Sequence, residues 1–184
     1  MVKVAKVFKN YCIISVDSGE KGAISLCTLI NGEHKILKCV PFDFLATKKD
    51  ELILISEFFA AALREASKSK LEIVSIIERP FPSPKNSRLA ISNQFASYGG
   101  TLLALQQNDA NETIEIHPRN WIYNVCSKEE RELKKDGRIL ACKRIFGSKV
   151  TEYLTVKRKR STVLHDGIAD SLLINVYFAK KLLA

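Results

Sequence analysis

Three strand-length apolar runs fall within the first forty residues, joined by connections too short to hold a helix. Tyr11 to Asp17 (YCIISVD) is rich in β-branched residues and ends at Ser18-Gly19, a turn signal. Gly22 to Leu29 and Lys35 to Val40 follow, separated by Asn31-Gly32, a dipeptide that tolerates the positive φ of a tight hairpin. Strands this close in sequence pair as an antiparallel meander.

The period then changes. Leu52, Ile55, Phe59, Leu63 and Ala66 recur at helical spacing over Asp50–Ser67, with Asp50 as the expected cap. Leu71 to Ile77 reads as a strand running into Glu78, ended by the proline-rich stretch from Arg79 to Pro84. A helix over Arg88–Gln107 and a short strand over Thr113–Ile116 come next. Helices are then expected around Arg119–Val125, Lys128–Phe146 and Asp166–Leu183, with residues 147–164 as a basic loop. The expected class is α/β: a mixed sheet of about five strands, antiparallel at first and then parallel, with flanking helices. Residues 1–184 read as one domain.

No apolar run is long enough to span a bilayer, and the first residues do not read as a signal peptide, so no membrane partner is expected. Five cysteines without a C-x-x-C pair read as reduced thiols, and three scattered histidines argue against zinc. The net charge of +9 is concentrated: residues 119–160 hold 13 Lys/Arg against 5 Asp/Glu, and the rest of the chain is nearly balanced. Such a stretch, which includes Lys157, Arg158, Lys159 and Arg160, suits a polyanion such as nucleic acid, or simply a solvated surface.

The acidic residues carry more information. Asp17 and Glu78 each stand directly after an apolar strand run. If the intervening helix is a crossover, the two strands are parallel and both acids lie at the carboxyl edge, where open α/β sheets bind ligands. Asp17 before Ser-Gly also suits a turn, whereas Glu78 is a poor turn former. Asp166 and Asp170 are four apart in HDGIADSLL, so on a helix they share a face and repel each other. Asp166 is either a helix cap or a ligand, but Asp170 lies too far in to cap. Something positive is required to compensate the set. Magnesium, a hard cation that prefers carboxylate oxygen, meets that need, and two such ions suit phosphodiester cleavage.

These residues, in this order, resemble the RuvC-type Holliday junction resolvases of the RNase H-like superfamily, particularly their phage- and organelle-like branch. The match is carried by SVDSG, IIERP and HDGIADSLL, and extends to SNQFASYGG, to HPRNW, and to a Lys/Arg-rich segment ending in RIFG. It covers roughly residues 11–182. The resemblance implies an RNase H-like fold and a homodimeric, Mg²⁺- or Mn²⁺-dependent endodeoxyribonuclease that cuts four-way DNA junctions. It implies a cytoplasmic, organellar, phage or mobile-element setting. It also gives metal-ligand roles to Asp17, Glu78 and Asp170, with Asp166 or His165 as the fourth ligand. Gly167 stands three before Asp170, where family members can carry a ligand, and Ile122-Tyr123 follow Trp121 where a Lys is common. Phe81 either stacks on an unpaired base at the junction centre or packs beneath its own loop. The basic contact there is either missing or supplied by Arg119, and Trp121 is expected to be a packing anchor. Cleavage of RNA–DNA hybrids or flaps, and a non-catalytic nucleic-acid-binding role in recombination, are the alternatives.

Overall fold

The computed structural model describes residues 9–19, 21–45, 47–82, 86–108, 113–158 and 161–183. The meander is present: β1 (Tyr11–Asp17) pairs antiparallel with β2 (Ala23–Ile30), and β2 with β3 (Glu33–Pro41). Asn31 and Gly32 both take positive φ in the hairpin, as that turn requires. After α1 (Lys48–Ser69), β4 (Glu72–Glu78) returns parallel to β1. Following α2 (Arg88–Asn108), β5 (Thr113–Ile116) adds in parallel to β4. The sheet order is β3-β2-β1-β4-β5, so β1 lies at its centre.

Both faces of that centre are covered, which is why YCIISV reads as an unbroken apolar run. Cys12, Ile14 and Val16 point to the α1/α2 side and pack with Ile55, Phe58 and Leu105. Tyr11 and Ile13 point the other way, towards Trp121 in α3 (Pro118–Val125) and Leu172 and Val176 in α7 (Asp166–Leu183). Ser15 shares that second face. Its hydroxyl meets the Ser171 carbonyl at 2.6 Å and the Asn175 amide, and so fastens α7 to the strand by polar contacts inside the core.

Four expectations need correction. The cap of α1 is Thr47, with Asp50 as its partner three residues in, a reciprocal box rather than a lone acid. The buried stripe of α1 runs through Leu54, Ile55, Phe58, Phe59, Ala62 and Ala66, leaving Leu52 and Leu63 in solvent. Residues 128–146 form two helices, α4 (Lys128–Glu132) and α5 (Lys134–Phe146), because Lys134 turns the chain with φ 52°. The two then pack so closely that a Cβ on Gly137 would lie 1.7 Å from the Glu130 carbonyl oxygen. The Arg144 guanidinium clamps both Glu130 oxygens, at 2.7 and 2.9 Å. Finally, residues 147–164 contain α6 (Val150–Leu154) and a hairpin of β6 (Thr155–Arg158) with β7 (Ser161–Leu164). Strand alternation there is too brief to show in the sequence. No helix among the described residues is long and apolar enough to cross a membrane.

Candidate active site

The register of β1 against β4 pairs Val16 with Ile77, so the next residues, Asp17 and Glu78, end neighbouring parallel strands at one edge. Ser18 ties the two ends together by donating its hydroxyl to the Glu78 carbonyl at 3.1 Å. Asp17 also serves its turn: one carboxylate oxygen accepts the Gly19 N–H at 3.2 Å. The two readings of Asp17, turn former and site acid, are therefore compatible. Glu78 accepts a hydrogen bond from the Trp121 indole N–H. Trp121 is 1% exposed, so the packing anchor also orients an acid, a role its sequence context did not reveal.

Helix α7 starts at the same edge. Asp170 is 9% exposed and forms an ion pair with Arg138 of α5. Asp166, one turn earlier, pairs with Lys135 of the same helix. An acidic pair at i, i+4 thus faces a basic pair at i, i+3. The compensating charge that the sequence demanded is supplied, in this structure, by Lys135 and Arg138, residues the sequence reading had left within a generally basic helix. Facing charges on two separate helices have no signature until the helices are known to pack.

The electrostatics follow from burial and proximity. Burial pushes the Asp17 carboxyl up, opposed by the Gly19 N–H and Arg138 and reinforced by Asp166. Glu78 is pushed up to about 8, first by burial and then by the Asp17 charge, against the Trp121 hydrogen bond and Arg138. Asp170 rises well above the carboxylate range through burial, with Arg138 opposing and Asp17 and Glu78 adding to the rise. For Asp166, burial is outweighed by the hydrogen bond and charge of Lys135, and its carboxyl is lowered. Three carboxyls that resist ionisation beside one another are an environment that binds cations.

Among the described residues, no three His, Cys, Asp or Glu side chains converge as a ready-made set for a metal ion. The donor chemistry nonetheless fits a hard cation. All the donors are oxygen, they repel one another, and the Arg138 guanidinium already stands among them as a cation, within electrostatic reach of Asp17, Glu78 and Asp170.

His165 is placed differently from Asp166. Its Nδ1 accepts the Ile168 N–H at 3.3 Å, capping α7, and its Nε2 faces Asp43 at 3.3 Å. Both ring nitrogens are engaged in this arrangement, and His165 ties the start of α7 to Asp43. Asp43, which the sequence reading missed, also pairs with Arg158 at 2.9 Å and joins the hairpin to this corner. Gly167 is required by a close approach: a Cβ there would lie 2.3 Å from the Lys21 carbonyl. Gly167→Ala should therefore lower stability by about 2 kcal/mol through overpacking, read as a fall in melting temperature; an unchanged melt would show that α7 is free to shift.

Beside Glu78, Phe81 is 55% exposed. It meets the His117 ring edge-on at 4.9 Å, and the Arg119 guanidinium lies over it at 5.6 Å. Lys157 and Arg158 are exposed on β6, while Lys159 and Arg160 lie outside the described residues.

No protein-family model matches the chain, and no curated protein matches it. Solved structures do match. RuvC of T. thermophilus in complex with a Holliday junction substrate aligns over 93% of this chain and 96% of that one, at 14% identity and a TM-score of 0.53. A second Thermus thermophilus RuvC structure aligns over 92% and 96%, at 14% identity and a TM-score of 0.50. The fold is the RNase H-like fold of RuvC, as the sequence resemblance implied.

Proposed function

We propose that the chain, as a single nuclease domain, is a divalent-metal-dependent endonuclease that hydrolyses phosphodiesters in branched DNA, four-way junctions foremost. What supports this reading is the placement of Asp17 and Glu78 at the ends of neighbouring parallel strands, with the Asp170 carboxyl within electrostatic reach of both. The likeness to a RuvC structure holding a junction supports the substrate.

Asp17, Glu78 and Asp170 would hold Mg²⁺ or Mn²⁺, two ions in the fullest form, with Asp166 as the fourth donor. Such ions lower the proton affinity of a bound water and offset charge on the leaving oxygen. The chain's own groups do the rest. Trp121 fixes the Glu78 carboxylate by donating to it. Phe81 presents an open aromatic face for an unpaired base, steadied by His117 and Arg119. Lys157 and Arg158 take backbone phosphates. Symmetric cutting of a junction requires two copies, and exposed Leu89, Phe95 and Leu103 on α2 offer an apolar surface for a second one. Cytoplasm, in a bacterium or one of its phages, is the proposed setting.

The test is cleavage of labelled four-way junctions, flaps, RNA–DNA hybrids and linear duplex with Mg²⁺. Junction cutting in preference to the others is expected. Cutting of hybrid alone would refute the resolvase reading and leave a nuclease; cutting of none, with junction binding intact, would leave a binding module. Replacing Lys157 and Arg158 by Ala should weaken binding and reduce the log–log salt slope by about 1–2. A slope equal to wild type removes β6 from the interface.

A further inference from the structure

Among the ion-paired lysines and arginines of the described residues, Arg138 has the least exposed side chain. It is paired with Asp170, its side chain is only 22% exposed, and the Asp170 side chain is 13% exposed. Its neighbour Lys135 makes the parallel contact to Asp166 with 65% of its side chain in solvent. An exposed pair of that kind contributes little, whereas a largely buried guanidinium among carboxylates is a substantial local charge. The helix that bears it cannot withdraw easily. Gly137 is in close contact with the Glu130 carbonyl, and the Cys142 thiol donates to the Ala169 carbonyl of α7 at 3.4 Å. Any motion that frees Asp170 is therefore a rotation of the Arg138 side chain towards its solvent-facing side, not a shift of α5.

We propose that Arg138 is the resident counter-cation of the carboxylate site, and that a divalent cation is taken up only as the Arg138 side chain releases Asp170. This rests on the metal-dependent reading above and adds a positioning residue to it. Guanidinium and divalent cation compete for the same carboxylate, and arginine stays protonated at any working pH, so only displacement can remove its charge. In the metal-free protein the guanidinium pairs with Asp170 and lies within electrostatic reach of Asp17 and Glu78. The site is thereby kept folded in the absence of metal, and its metal affinity is reduced by the cost of moving the side chain.

Titration of Mn²⁺ and Mg²⁺ into wild type, Arg138→Gln and Lys135→Gln by calorimetry tests this without reference to activity. Arg138→Gln should bind Mn²⁺ at least about tenfold more tightly and melt at a lower temperature without metal, since a buried acid loses its partner. Lys135→Gln should change affinity less than about threefold, as an exposed charge does. Equal or weaker binding by Arg138→Gln, or an equal gain in both variants, overturns the proposal. A second measurement does not require Arg138→Gln to fold. In the wild type, saturating Mg²⁺ should move the Arg138 Nε–H signal and speed its exchange with water, the signal being assigned by its loss in Arg138→Lys. An unmoved signal while Mg²⁺ binds overturns displacement. If the wild type binds neither ion, the metal-site reading falls and this inference with it.

Discussion

Asp17→Asn is expected to reduce junction cleavage by about 10³-fold or more, while junction affinity in Ca²⁺ changes less than about threefold. The asymmetry follows from position. Asp17 ends the strand beside the one that ends in Glu78, so on the proposed reading losing its charge removes a donor. The groups assigned to phosphate and base contact are Lys157, Arg158 and Phe81, which the substitution leaves in place. Asn can still accept the Gly19 N–H through its carbonyl oxygen, so the turn survives. Asp170→Asn should be as inactive but less clean, since it also removes the partner of the largely buried Arg138 guanidinium. Single-turnover cleavage in Mg²⁺ and fluorescence anisotropy of labelled junction measure the two halves. Normal cutting by Asp17→Asn would remove this edge of the sheet from the chemistry altogether.

Glu78→Gln is expected to be inactive and, without metal, more stable than wild type at pH 8 by about 4 kcal/mol. The sign follows from the raised carboxyl. Glu78 is pushed up to about 8 from an ordinary 4.5, through burial and the neighbouring Asp17. As pH rises from about 4.5, the unfolded chain gives up this proton first, and the folded chain does so only near 8. The unfolded state is favoured progressively across that window, so wild type loses stability as pH rises through it. Gln carries no such proton and can still accept the Trp121 N–H, so its advantage should grow over the same range and vanish below pH 4.5. Urea unfolding in EDTA at three pH values is the measurement. A constant difference across pH would show that packing, not ionisation, sets the effect. Because the same carboxyl is uncomfortable when charged and unpaired, it stores an affinity for cations that a metal or a guanidinium can satisfy.

How much of this was legible beforehand depends on the range of each interaction. The meander and the crossover are written locally, in β-branched runs, in Asn31-Gly32 and in the helical spacing before β4. The step from Asp17 to Glu78 needed only the assumption that strands on either side of a crossover helix run parallel. The hairpin before α7 was missed because four-residue strands carry too little alternation to be seen. The break at Lys134 was missed because an unremarkable lysine adopts a left-handed φ, and only the Glu130–Gly137 contact requires it.

The candidate site divides in the same way. Asp17, Glu78, Asp166 and Asp170 could be singled out from the chain alone, because an acid at the end of an apolar run, or a like-charged pair on one helical face, conflicts with local propensity. Nothing local conflicts at Trp121, Asp43, Lys135 or Arg138. Their parts as donor to Glu78, tie to His165 and partners of α7 exist only once α3, α5 and α7 pack on the same face of the sheet. Sequence by itself determined the meander, the crossover and which acids are out of place, since these are questions of neighbours along the chain. Tertiary structure alone decided which charges answer those acids, because opposite charges meet across helices at distances that bear no relation to their separation in sequence.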